Sequence, residues 1–127
     1  MDVFIVDDDP GALNSLRFLL ESDGLRVSAF RSGQELLAEL PRANPDCVII
    51  DFKMPAMDGL DVYRNLRQLN DAVPVILVTG HPDPSIRVKA ERAGLELIEK
   101  PLSQDVLLLA IRAAREKRPR RGSISEQ

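Results

Sequence analysis

Five short apolar runs alternate along the chain with longer segments in which apolar residues recur every three or four positions. The runs span residues 3–6, 25–30, 47–50, 75–78 and 95–98. Several are nearly continuous in valine, isoleucine and leucine, a composition typical of parallel strands that are buried on both faces. The pattern predicts five strands, and the intervening segments predict a helix after each one.

The predicted helices have recognisable starts and apolar faces. A short side chain with a free oxygen precedes each one, where it can accept hydrogen bonds from the first backbone N–H groups. These candidate N-caps are Asp9, Ser32, Asp58, Asp83 and Ser103. The faces expected to meet the sheet in four of the helices are Leu13, Leu16 and Leu20; Leu36, Leu37 and Leu40; Val62, Leu66 and Leu69; and Val106, Leu109, Ala110 and Ala113.

Five strand–helix units in a row indicate a doubly wound α/β fold, in which helices cover both faces of a parallel sheet. We expect a three-layer sandwich of the flavodoxin-like (βα)5 type with the strand order 2-1-3-4-5. The last helical segment is apolar beyond one stripe, at Leu107, Leu108 and Ile111 as well. Two interpretations stay open: wider packing inside the domain, or an interface formed by the fourth helix, fifth strand and fifth helix, used for a homodimer or a partner.

Composition narrows the class of protein. The chain of 127 residues suits one domain, and 44% apolar with 29% charged residues is ordinary for a globular chain. The single cysteine, Cys47, lies in an apolar run and cannot form an internal disulfide, so a core position and a cytoplasmic location are expected. No apolar stretch reaches the length of a membrane span.

Charge and the end of the chain complete this picture. A net charge of -3 argues against direct nucleic-acid binding. Residues 117–127 are polar, basic in their first half and without a helical face. We therefore expect one domain over residues 1–116, followed by a disordered, solvated tail.

Polar side chains follow the predicted strands at the points where the strands end. Residues 7–9 are three consecutive aspartates after the first strand, and Asp51 follows the third. Thr79 and Lys100 follow the fourth and fifth strands. Ligands of open α/β sheets bind beyond the carboxyl ends of the strands, near the point where the strand order reverses. The expected strand order would bring these side chains together there.

The residue types at this edge indicate phosphate chemistry. Clustered carboxylates without histidine or cysteine make a hard oxygen site, which suits Mg²⁺, Mn²⁺ or Ca²⁺. A hydroxyl and an ammonium group nearby match a phosphoryl group, because phosphoryl transfer depends on positioning and charge neutralisation. Asp51 stands alone at the end of the central strand, and carboxylates form covalent phosphoryl intermediates, so Asp51 is the candidate nucleophile.

Four motifs together resemble a known family. They are Val6-Asp-Asp-Asp9, Asp51-Phe-Lys-Met-Pro-Ala-Met-Asp-Gly59, Val78-Thr-Gly-His81 and Lys100-Pro101. In this order and spacing they look like the motif set of response-regulator receiver domains, which have the chemotaxis-regulator-like fold. Residues 78–84 and 98–101 are most similar to receivers of the FixJ type. The resemblance implies a phosphorylation-controlled domain of a two-component or phosphorelay pathway.

The resemblance also implies roles for individual residues. Asp51 would accept a phosphoryl group from a sensor histidine kinase or a histidine phosphotransfer protein, and Thr79 and Lys100 would hold the phosphoryl oxygens. Such a domain is a signalling module rather than a conventional enzyme, although it catalyses its own phosphorylation and dephosphorylation. The implied ligands of Mg²⁺, or of Mn²⁺ in its place, are Asp7, Asp8, Asp51 and the backbone carbonyl of Lys53.

Three further residues near the predicted site are assigned roles other than metal or phosphoryl binding. Asp9 is best explained as a helix cap, because it precedes Pro10. His81 is either an ordinary loop residue or a tuning residue, since in the family its position and that of Lys53 influence the dephosphorylation rate. Leu97 stands where receivers usually have an aromatic switch residue that moves with the threonine, so this coupling is expected to be weaker or differently built.

Other functions stay open at the level of the sequence. Haloacid-dehalogenase-type phosphatases also use a strand-end aspartate with Mg²⁺, and Asp7 and Asp9 would fit their spacing, but Asp51 would then be unexplained. A pseudo-receiver that binds partners without phosphorylation is disfavoured by the intact set of acids. FixJ-type proteins carry a C-terminal DNA-binding domain. We expect a stand-alone receiver that acts through protein contacts, with a receiver fragment of such a regulator as the alternative.

Overall fold

Strands and helices alternate along the chain, as the apolar pattern predicts. The structure is a computed structural model that describes residues 1–70, 72–81 and 83–117. The strands of the sheet are β1 (Asp2–Val6), β2 (Arg26–Phe30), β3 (Cys47–Asp51), β4 (Val75–Thr79) and β5 (Glu96–Glu99). The α-helices are α1 (Pro10–Glu21), α2 (Gly33–Glu39), α3 (Gly59–Leu69), α4 (Pro84–Arg92) and α5 (Gln104–Glu116), and a short 3-10 helix, Leu40–Arg42, follows α2.

The sheet has the predicted order, β2-β1-β3-β4-β5, and every pairing is parallel. In its register Ile5 lies beside Ile49, Asp51 beside Val78 and Thr79 beside Glu99. All carboxyl ends of the strands therefore meet at one edge of the sheet, and β1 and β3 are neighbours at the centre. This is the place where the predicted site residues leave the sheet.

The core consists of two apolar clusters, one on each face of the sheet. One cluster joins the sheet to α2, α3 and α4 and includes Phe4, Leu36 and Leu66. The other joins it to α1 and α5 and includes Ile49 and Leu107. Full burial of side chains of this size contributes about 1.5–3 kcal/mol each, so both layers hold the central strands firmly. The predicted three-layer α/β sandwich is confirmed.

All five predicted N-caps are confirmed by hydrogen bonds from backbone N–H groups to their side-chain oxygens. The donors are two or three residues ahead, at 2.9–3.2 Å, as in Asp9 with Gly11 and Asp83 with Ser85. At α3 the capping is reciprocal, because the carboxylate of Asp61 also accepts the N–H of Asp58 at 3.1 Å. Each helix therefore begins where a side chain satisfies its first free donors.

The predicted faces of two helices are wrong in part. In α5 the buried residues are Leu107, Ala110 and Ile111, whereas Val106, Ala113 and Leu109, which is 63% exposed, lie outside the core. The spacing of three and four residues fits both stripes, so periodicity alone does not decide between them. The side of α5 beside β5 stays open because β5 is the edge of the sheet.

In α3 the prediction fails at Leu69, which is 53% exposed near the end of the helix. Leu60 takes its place in the core, next to Val62 and Leu66. Cys47, by contrast, is fully buried as predicted, and burial raises the pKa of its thiol to about 12.

The predicted tail lies almost wholly outside the described residues, since only its first residue, Lys117, is among them. The division into residues 1–116 and a tail stays a prediction. Within the described part of the chain, every helix is too short or too polar to cross a membrane.

One tight contact beneath the site gives a stability prediction. A Cβ at Gly59 would lie 2.8 Å from the Cα of Phe52 and 2.9 Å from the carbonyl oxygen of Asp51. Backbone cannot give way easily, so Gly59→Ala is expected to lower the free energy of unfolding by about 1–3 kcal/mol in urea denaturation. Gly11→Ala is the control, because its new Cβ would meet nothing closer than 3.6 Å. A Gly59→Ala protein as stable as the parent would contradict the contact.

Candidate functional site

The site is built from residues at, or just beyond, the carboxyl ends of four neighbouring strands. Backbone hydrogen bonds continue the sheet past its formal ends, from Asp7 N–H to the carbonyl of Phe30 at 3.1 Å and from Lys100 N–H to that of Thr79 at 2.8 Å. The side chains of Asp7, Thr79 and Lys100 therefore start from backbone that is as fixed as the sheet itself. All five predicted catalytic and acidic residues, Asp7, Asp8, Asp51, Thr79 and Lys100, lie at this edge.

Three carboxylates converge at the centre of the site. Asp7, Asp8 and Asp51 each place one oxygen within 4.8 Å of the others. Asp7 and Asp51 are 4% and 6% exposed, whereas Asp8 is more open to solvent. The Asp9 N–H donates to Oδ1 of Asp7 at 3.0 Å, which fixes the orientation of that carboxylate. Crowded, hard oxygen donors of one charge are the ligand type that Mg²⁺ and Mn²⁺ prefer.

Lys100 is the positive charge of the cluster. Its Nζ lies 3.0 Å from Oδ1 of Asp51 and 3.1 Å from Oδ2 of Asp7, so one ammonium group bridges two buried carboxylates. Burial disfavours the charged amine, but the hydrogen bonds and charges of Asp51 and Asp7 outweigh it and raise the pKa of Lys100. The ammonium form is thus the one that the site selects.

The surroundings of Asp51 disfavour the ionised form of its carboxyl group. Burial raises the pKa of its carboxyl, the nearby charges of Asp7 and Asp8 raise it further, and the hydrogen bond from Lys100 opposes both effects. A carboxylate in this setting is poorly solvated and gains from any added positive charge. The arrangement therefore favours a cation at the open side of the cluster.

Thr79 is nearly fully buried and lies beside the cluster with its hydroxyl engaged in the following loop. Its Oγ1 accepts the N–H of His81 at 3.1 Å and lies 3.4 Å from the carbonyl oxygen of the same residue. His81 itself is exposed at the rim of the site. To donate to another oxygen, the hydroxyl has to release only the long 3.4 Å hydrogen bond to the His81 carbonyl.

The remaining predicted residues lie around this centre in different roles. Asp9 caps α1, as predicted. The pair of Asp7 and Asp9 that the phosphatase hypothesis requires therefore does not face one site. Lys53 is exposed in the loop after β3. Leu97 is half-buried and packs against the apolar cluster beneath α4.

Two features of the site region were missed from the sequence. Ala56, in the loop that follows Asp51, has a positive φ of 69°, a conformation that costs a non-glycine residue about 1–2 kcal/mol. Arg87 of α4 and Glu99 of β5 form an ion pair beside Lys100. Neither leaves a signal in the sequence, because alanine normally avoids this conformation and the paired residues are twelve positions apart.

Comparison with known proteins gives a consistent result. The family model described as the response regulator receiver domain matches residues 3–112. The chain is 40% identical over 122 residues to the response regulator protein TodT of Pseudomonas putida, covering 95% of this chain and 54% of that protein. It is 34% identical over 113 residues to the transcriptional regulatory protein FixJ of Bradyrhizobium diazoefficiens, covering 88% of this chain and 55% of FixJ.

Solved structures agree with the sequence comparisons. The crystal structure of FixJ-N superposes with a TM-score of 0.85 at 36% identity, over 94% of this chain and 96% of that one. The chain spans about half the length of the curated relatives it matches.

The strained loop after Asp51 can be tested by one substitution. Ala56→Gly should raise the free energy of unfolding by up to about 1 kcal/mol, because glycine adopts the positive φ without a clash. The control is Ala113→Gly on the exposed side of α5, where the same change should destabilise by about 1 kcal/mol. Urea denaturation of both variants decides the matter, and a loss of stability in Ala56→Gly would show that the loop is unstrained.

Proposed function

The chain belongs to the response regulator receiver family, and we propose on this basis that Asp51 is its phosphoryl acceptor. Phosphorylation and Mg²⁺ binding are general features of that family. The observation that carries the proposal is the position of Asp51, a buried carboxylate at the centre of the sheet edge with Lys100 3.0 Å away. The domain is a phosphorylation-controlled receiver of a two-component or phosphorelay pathway.

The chemistry follows from the groups around Asp51. One carboxylate oxygen forms a bond to the phosphorus of a phosphohistidine while the phosphorus–nitrogen bond breaks, and the imidazole leaves with that electron pair. Lys100 lies close enough to neutralise a phosphoryl oxygen from its present position, and Thr79 donates a hydrogen bond to another after its hydroxyl turns away from the carbonyl of His81. The protein mainly positions the reactants and balances their charge.

Asp7, Asp8 and Asp51 are the residues that would hold Mg²⁺, with the backbone carbonyl of Lys53 as a further ligand. The convergence of the three carboxylates within 4.8 Å supports this ligand set. When bound, the ion supplies positive charge that offsets the carboxylates and the phosphoryl oxygens. Mn²⁺, a hard cation that also prefers oxygen ligands, is the expected substitute.

The partner that supplies the phosphoryl group is a sensor histidine kinase or a histidine phosphotransfer protein, the partners with which receiver domains interact. We place this exchange in the cytoplasm. Exposed apolar side chains on α4 and α5, Val88, Val106 and Leu109, support a second contact surface beside β5 for a homodimer or an output partner. We expect no direct contact with nucleic acid from the described residues. The influence of His81 on the lifetime of phospho-Asp51 stays a prediction.

The acceptor is tested by incubation with Mg²⁺ and acetyl phosphate, followed by intact-mass measurement. We expect one phosphoryl adduct on the parent and none on Asp51→Asn, because the amide is not a nucleophile. Asp9→Asn is the matched control, since this side chain caps α1 and should leave the adduct unchanged. An adduct that survives in Asp51→Asn, or a parent that takes none, would refute the assignment.

The metal site is tested by thermal unfolding with and without Mg²⁺. The parent should be stabilised by about 2.7 kcal/mol at a Mg²⁺ concentration of one hundred times its dissociation constant. Asp8→Asn should lose most of this response and, without metal, should be more stable than the parent because one repulsive charge is gone. Asp9→Asn should respond like the parent. An unshifted parent would show that the three carboxylates do not bind the ion.

A further inference from the structure

The ion pair between Arg87 and Glu99 links α4 to the strand that leads into the site. We propose that this pair transmits the phosphorylation of Asp51 to α4. The inference rests on the proposed function and adds to it the route by which the site changes the α4 surface. Four observations support it.

Glu99 occupies a position that is tied to both predicted phosphoryl-binding residues. It is the direct neighbour of Thr79 in the register of β4 and β5, and it immediately precedes Lys100. The N–H of Lys100 also donates to the carbonyl of Thr79 at 2.8 Å. Any displacement of the backbone at Thr79 or Lys100 on phosphorylation is therefore passed to Glu99.

Glu99 also points to the correct face of the sheet. Side chains alternate along a strand, and Ile98 packs into the cluster under α1 and α5, whereas Leu97 packs into the cluster under α4. Glu99 shares the face of Leu97, which is the side on which Arg87 meets it. The carboxylate thus connects the end of β5 with the middle of α4.

The helix at the other end of this link is lightly anchored. The structure describes every residue of α4, and of these Ile86 and Ala90 are buried. An element with few buried contacts is one whose position a small energy can shift.

The side chain of Leu97 is poorly suited to carry a signal from Thr79 to α4, which favours a polar link between β5 and the helix. Its branched alkyl side chain packs against the apolar cluster, but it offers neither a ring nor a hydroxyl that could follow the movement of Thr79. An ion pair depends directly on the distance between its two charges. Both partners are half-exposed, so the pair contributes little to overall stability, yet it can bias a two-state equilibrium about two- to fivefold.

The test compares hydrogen exchange in residues 84–92 before and after addition of Mg²⁺ and beryllium fluoride, which forms a phosphoryl-like group on carboxylates. The variants are Arg87→Gln, Glu99→Gln and the exchanged pair Arg87→Glu with Glu99→Arg. The control is Glu21→Gln, which removes a half-exposed ion pair with Arg17 on α1. Fluorine NMR on each protein measures how much of the beryllium fluoride is bound.

We expect the parent and Glu21→Gln to show the same ligand-dependent change in α4. Each single variant should reduce this change about two- to fivefold at equal binding of beryllium fluoride, and the exchanged pair should restore it at least in part. Single variants that respond like the parent would overturn the coupling while leaving Asp51 as acceptor. A parent that binds no beryllium fluoride would overturn both proposals.

Discussion

The structure depends on a conflict of charge at the centre of the sheet. Parallel strands in the order β2-β1-β3-β4-β5 bring Asp7 and Asp51 together at one edge, where the surrounding core removes both from water. Two buried carboxylates repel each other, and each loses hydration. Lys100 relieves this repulsion by bridging the two carboxylates at 3.0 and 3.1 Å. Its backbone, which follows β5, is fixed by the hydrogen bond from its N–H to the carbonyl of Thr79. The positive charge that stabilises this part of the fold is thereby already next to Asp51, the proposed acceptor.

This arrangement explains how a rigid scaffold can hold a responsive site. The central strands are buried on both faces and keep Asp51 fixed, while the groups that would contact a phosphoryl group are long or rotatable side chains. Lys100 is shared between two carboxylates, and the Thr79 hydroxyl is held by a local turn with His81. A phosphoryl group adds about one and a half to two negative charges, which is enough to attract both. The change in charge is local, and the central strands of the sheet do not have to deform.

The sequence alone predicts most of the fold and nearly all of the central site. Strand composition, five N-caps and the order of the acids are strong signals, because each has a direct physical cause in burial, free N–H groups or metal chemistry. The predicted face of α5 is wrong in part because Leu107 and Leu109 fit helical periodicity equally well. Which of them is buried depends on β5 being the edge strand of the sheet. Ala56 and the pair of Arg87 with Glu99 depend on tertiary geometry and could not be found from spacing.

A response that an ion pair carries differs physically from one that a packed aromatic side chain carries. A buried aromatic ring must find a cavity, so a packed switch is discrete and resists small changes in sequence. A half-exposed ion pair has no such demand, and solvent and salt screen it. Leu97 would then leave the chemistry at Asp51 intact while making the response of α4 more graded and more sensitive to its surroundings. The charge balance around Asp51 is set by the buried sheet, whereas the route from that balance to the surface depends on half-exposed side chains that can differ without disturbing it.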